Sequence, residues 1–174
     1  MSFQRADSEV IRAIYERRSV RNFTEAPVER RLILEILRTA SWAPSGLNNQ
    51  PWRFAMVWDQ GLKEELARLT RYAAVLKNAA VLVPVFLDKE SSYDYVKDCQ
   101  AIGACLQNLL LASHGMGLGA VWLGEILKSA KEVRELCGLS NDMELMAVVA
   151  LGHHTGKGGK ADRRPVEEVL LKEL

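Results

Sequence analysis

The stretch YERRSVRNF, residues 15–23, sets Arg17, Arg18 and Arg21 around Ser19. A second basic group, Lys157, Lys160, Arg163 and Arg164, stands in a loop whose glycines let backbone N–H groups approach an anion. Guanidinium forks match phosphate oxygens two at a time, so the two groups together suit a dianionic phosphate. Each group alone also has an ordinary explanation. Arg17 and Arg18 fall where the first helix ends, and cations there are stabilising by roughly 0.3–1 kcal/mol each without any ligand. The second group reads equally well as a solvated surface loop.

A different chemistry is offered by APSGLNNQPW, residues 43–52. Ser45, Asn48, Asn49 and Gln50 crowd polar side chains into a loop restrained by Pro44, Gly46 and Pro51, with Trp52 as an aromatic wall. Each amide presents a donor and an acceptor, the pairing needed to read the edge of a heterocycle. The same residue types also make ordinary turns. Other candidates are weaker. GMGLGA (115–120) lacks the strand–turn–helix setting of a dinucleotide fingerprint. His153 and His154 are adjacent, so a strand would point them to opposite faces and separate them as metal ligands, and His114 reads as a structural histidine. Cys99, Cys105 and Cys137 form an odd set without a CxxC spacing and read as reduced thiols. No catalytic side chain and no metal site is assigned.

The elements that must position these groups are legible from periodicity. Val10, Ile11, Ile14 and Tyr15 predict a short helix capped by Ser8, and Leu32, Ile33, Ile36, Leu37 and Ala40 predict a second, opened by Pro27. Strands are expected at 53–58, at 80–87 (an edge or bulge, given Pro84), within 115–124 and at 144–154. Helices are expected at 62–69, at about 95–114, where the apolar run goes nearly all round, and at 130–137 behind a Ser129–Glu132 capping box. Helices and strands interleave without a steady βα rhythm, which favours an α+β class over a doubly wound sheet. The 174 residues suit one domain. With 48% hydrophobic and 26% charged residues and a net charge of +1, nothing suggests nucleic acid or a membrane surface. MSFQRADSEV carries no apolar signal region, so the cytoplasm is the expected location.

Taken in order, RRSVRNF, APSGLNNQPW, GLGAVWLGE and RRPVEEV resemble the FMN-dependent nitroreductase family over nearly the whole chain. The resemblance implies an α+β fold with a central, mostly antiparallel sheet, an intertwined homodimer, and one FMN at each of two sites built by both subunits. On that resemblance Arg17, Arg18 and Ser19 match the phosphate and ribityl positions, and Arg21 matches the cation beside N1 and O2 of the ring. Ser45, Asn48 and Gln50 match the loop that the partner places against the flavin. Leu123, Gly124 and Glu125 match the segment passing N5, Arg163 the C-terminal phosphate contact, and Arg164 its neighbour. The implied activity is hydride transfer from NADH or NADPH to flavin N5, then reduction of a nitroaromatic, quinone or similar small acceptor by ping-pong kinetics. The alternatives are a specialised relative, either a reductive dehalogenase or a flavin-modifying enzyme, and a non-catalytic module that binds a phosphate ligand.

Overall fold

The computed structural model describes residues 8–156, 159 and 161–174. Four antiparallel strands form one sheet in the order β1-β2-β4-β3, with β1 Trp52–Phe54, β2 Val81–Asp88, β3 Gly119–Leu123 and β4 Met143–Gly152. Helices cover both faces: α1 Glu9–Glu16, α2 Arg30–Ala40, α3 Gln60–Ala67, α4 Ala73–Asn78, α5 Tyr95–Gly115, α6 Ala130–Leu136 and the short α7 Val166–Val169.

Alternation along the central strands divides the core. Val81, Val83, Val85 and Leu87 of β2 point to the face covered by α2 and α5, where they meet Ile33, Ile36, Ile102, Leu106 and Leu109. Leu82 and Phe86 point to the opposite face, against Leu66, Leu76, Ile126 and Val133 of the smaller helices and turns. Every residue of β2 is buried, which is why it reads as a continuous apolar run. The strand lies inside the sheet, so the edge reading of Pro84 is corrected. The bulge reading holds, because the register with β4 shifts between Val85 and Phe86, beside a residue that has no N–H to donate.

Four local expectations also change. Ser8 stands at the N-cap of α1, but its side chain makes no cap hydrogen bond. The second helix begins at Arg30 rather than at Pro27, with Glu29 at its N-cap. Strand β1 ends at Phe54, and only an isolated bridge from Val57 to Leu82 continues it. Ser129 does precede α6, but its hydroxyl donates to the Leu69 carbonyl instead of capping the helix. The caps that do form are Asp59 Oδ1, accepting from Leu62 N at 2.7 Å, and Asp94 Oδ1, accepting from Lys97 N at 3.0 Å. Among the described residues no helix is long and apolar enough to cross a membrane.

Candidate active site

Residues 17–22 leave α1 and run beside the sheet edge. Ser19 bridges Ala120 of β3 in parallel, and Val20 N donates to the Ala120 carbonyl at 3.0 Å. Gly119 permits this approach, since a Cβ there would stand 2.7 Å from Val20 Cγ1 and 2.9 Å from His154 Cδ2. The result is a cavity of about 630 Å³ whose polar lining includes Glu16, Arg17, Arg18, His114 and His154.

The two neighbouring arginines have different tasks. Arg18 Nη1 donates to the carbonyls of Tyr15 at 2.5 Å and Arg17 at 2.8 Å, so it serves the end of α1 as a helix-terminal cation would. Arg17 Nε is buried and has no hydrogen-bond partner. Burial, then the charges of Arg163 and Arg18, lower the Arg17 pKa below its ordinary value. A guanidinium is too basic to lose its proton, so these three cations sit in each other's field in a half-buried place.

Ser19 and Arg21 line an adjoining cavity of about 470 Å³ with Asn22, Thr155 and Gly156. Arg163 comes within electrostatic reach of Arg17, whereas Arg164 lines a shallow cleft together with Arg163 and Glu168. Lys157 and Lys160 lie outside the described residues. The segment Leu123–Glu125 stands four residues along β3 from Gly119, about 13 Å at the rise of a strand. The Glu125 carboxylate is already committed: it accepts from Lys128 Nζ at 2.5 Å, Thr70 Oγ1 at 2.5 Å and Arg71 N at 3.2 Å. These bonds, that of Lys128 foremost, pull its pKa down to about 2. What remains for a ligand is the backbone of this turn, where a 3-10 segment starts at Glu125 and leaves its first N–H groups outside the turn's own bonding.

The amide loop is elsewhere. Its Asn49 Nδ2 donates to Asp98 Oδ1 at 2.8 Å in the first turn of α5, while His114 of the arginine cavity closes the same helix sixteen residues later. At 1.5 Å per residue the two ends are about 24 Å apart. Within the loop, Leu47, Asn48 and Gln50 take φ of 53°, 55° and 47°, a left-handed conformation costing on the order of 1–2 kcal/mol per non-glycine residue. Ser45 Oγ accepts from Gln50 N at 3.1 Å, and Asn48 and Gln50 are exposed. Tyr93 packs directly on Gly46, where a Cβ would stand 1.7 Å from the phenol oxygen.

His114, read from the sequence as a structural histidine, and His154, weighed there only as a metal ligand, both line the arginine cavity. His154 Nδ1 donates to Gly156 O at 2.5 Å, which turns the ring into the arginine cavity from a strand end where periodicity gives no hint of it. Among the described residues no group of histidine, cysteine and carboxylate side chains could hold a metal ion.

Comparison with known proteins identifies the family. The Nitroreductase family profile matches residues 14–74 and 59–153. A chain of Archaeoglobus fulgidus described as a candidate NADH dehydrogenase/NAD(P)H nitroreductase is 34% identical, over 83% of this chain and 85% of its own. The NADPH-flavin oxidoreductase of Vibrio harveyi is 30% identical over 92% of this chain and 72% of its own. Among solved structures, a candidate nitroreductase from Desulfovibrio desulfuricans in complex with FMN superposes with a TM-score of 0.92 at 43% identity, covering 97% of this chain and 98% of that one. The arginine cleft, the antiparallel sheet and a match running from residue 14 to residue 153 lead to one conclusion: the chain belongs to the nitroreductase family of oxidoreductases.

Proposed function

We propose that this chain is a single FMN-binding domain working as a homodimer, and that it passes electrons from NADH or NADPH to a small acceptor such as a nitroaromatic or quinone. The observation that carries the reading is Arg17, a half-buried guanidinium with an unpartnered Nε, pressed by two further cations. A phosphate dianion relieves that repulsion and accepts the orphaned N–H. The relatives support the choice of ligand: the Desulfovibrio structure contains FMN, and the Vibrio harveyi enzyme was solved with NAD+.

When bound, FMN supplies the two-electron chemistry, which the side chains here do not. Arg17 and Arg163 hold the phosphate, with Arg18 and Ser19 beside them. Arg21 places a fixed cation where negative charge develops on the reduced ring, and such preorganised charge lowers a barrier because it needs no rearrangement during reaction. The turn at Leu123–Glu125, about 13 Å along β3 from Gly119, brings backbone N–H groups to the ring end of an elongated ligand.

Distance supports a second subunit. Ser45, Asn48 and Gln50 lie at the far end of α5 from their own chain's Arg17, so in this reading they serve the partner's flavin. Exposed apolar surface favours the same assembly. Helix α1 buries none of its residues, with Val10 66% and Ile14 47% exposed, and the tail leaves Leu171 97% exposed.

The experiment is direct. Purified protein is expected to be yellow, to bleach anaerobically on addition of NADH or NADPH, and to regain colour with a nitroaromatic. Steady-state rates are expected to give parallel double-reciprocal lines. Protein that takes up no FMN overturns the reading. Sedimentation of a folded, flavin-bound monomer overturns the dimer.

A further inference from the structure

We infer that Asn49 and Asp98 are positioning residues for the flavin ring, a clamp that presets the amide loop before any ligand arrives. The inference rests on the flavin reading above and on the loop serving the partner's site.

The clamp begins with a buried carboxylate. Asp98 is fully buried and accepts from Asn49 Nδ2 at 2.8 Å, Ser92 Oγ at 2.6 Å, Tyr93 N at 3.1 Å and Asp94 N at 3.4 Å. Among the described residues no cation pairs with it, so its charge is stabilised by these donors. Asn49 Nδ2 also donates to Ser91 O at 3.0 Å, while its Oδ1 is buried without a partner. An amide that leaves its acceptor idle to keep its donor on two oxygens is held for its position.

The neighbours of Asn49 give that position its use. Leu47, Asn48 and Gln50 all have left-handed backbones, and Asn48 and Gln50 face solvent on either side of the inward-facing Asn49. A loop of non-glycine residues does not keep such a conformation by itself. Anchoring Asn49 inward fixes the backbone that presents the two exposed residues flanking it, and Gln50 Nε2, donating to Asn48 O at 3.2 Å, ties those two together, as preorganised sites require. Tyr93, whose N–H bonds Asp98, packs on Gly46 and closes the other end of the loop. The clamp therefore acts on the ring-facing amides and leaves the phosphate end of the site untouched.

The test compares FMN with riboflavin, which has the same ring and no phosphate, on the purified dimer stripped of flavin. Asn49→Ala is expected to weaken both ligands by the same factor, about tenfold for a lost charge-assisted hydrogen bond. Arg17→Ala should weaken FMN alone. Asn49→Asp supplies a variant of nearly unchanged volume. At pH 8 its carboxylate opposes Asp98 and riboflavin binding should fall, whereas at pH 5 the repelled pair holds a proton, an O–H···O bond replaces the amide bond, and affinity should return toward wild type. Wild-type riboflavin affinity in Asn49→Ala, or an Asn49→Asp loss that is equal at both pH values, overturns the clamp. Wild-type protein that binds neither flavin overturns the functional reading and the clamp with it, which separates the two failures.

Discussion

The two ends of helix α5 are built on opposite principles. At the end near His114, Arg17 keeps a buried, unpartnered Nε beside like charges, so the electrostatics are left incomplete while the backbone is relaxed. At the end near Asp98, the polar side chains are largely satisfied and the backbone is strained, with three left-handed non-glycine residues in one loop. Under the proposed function, the difference separates two ways of recognising a flavin. A phosphate carries enough charge to complete an unfinished site, whereas a neutral ring is recognised by shape and hydrogen bonds, and those must be in place beforehand.

The largest expected effect breaks the strained end. Asp98→Ala removes the acceptor of Ser92 Oγ, Tyr93 N and Asp94 N and one of the two acceptors of Asn49 Nδ2, and should cost on the order of 3 kcal/mol in urea unfolding at pH 7. The pH dependence carries a definite sign. Burial works to raise the Asp98 pKa, but the bonds from Ser92, Asn49, Tyr93 and Asp94 outweigh it and hold the carboxyl below its ordinary value. Its contribution is therefore fully present above the unfolded value of about 4 and is lost as pH falls through the lower folded value. The stability gap between wild type and Asp98→Asn should narrow over that acidic window. A gap that stays constant down to pH 2 would refute the assignment.

An intermediate effect is expected at the charged end, and it should leave stability alone. Arg17→Ala removes a cation from a repulsive cluster, so the flavin-free protein should unfold no earlier than wild type. Its FMN affinity should drop about tenfold or more, the value of one charge-assisted contact. A variant that loses stability while keeping FMN would mean that Arg17 belongs to the end of α1, as Arg18 does.

The smallest effect on binding sharpens the boundary between the two ends. Arg21→Met should change oxidised FMN affinity little, while slowing anaerobic bleaching by NADH and making the flavin potential more negative, because a cation at the ring edge favours the reduced state. Collapse of affinity with an unchanged bleaching rate would move Arg21 to the phosphate.

Much of this was legible in the chain itself. Apolar residues three and four apart mark α2, an apolar run nearly all round marks α5, and the run VLVPVFL marks a strand, though not its central place in the sheet. Such patterns survive because each is decided within one element, where side-chain spacing and backbone period are the only quantities compared. Tertiary structure decided the rest, wherever two distant segments compete for the same group. Ser129 gives its hydroxyl to Leu69 rather than to a capping box, Pro84 stands in a central strand with its missing N–H on the side where β1 has ended, and Arg18 caps a helix while Arg17 does not. Asn49, read from the sequence as one of four similar polar residues, becomes an anchor only because Asp98, 49 residues away, lies beneath it. A hydrogen bond of that span depends on loop closure and burial, and neither is written in the residues that make it.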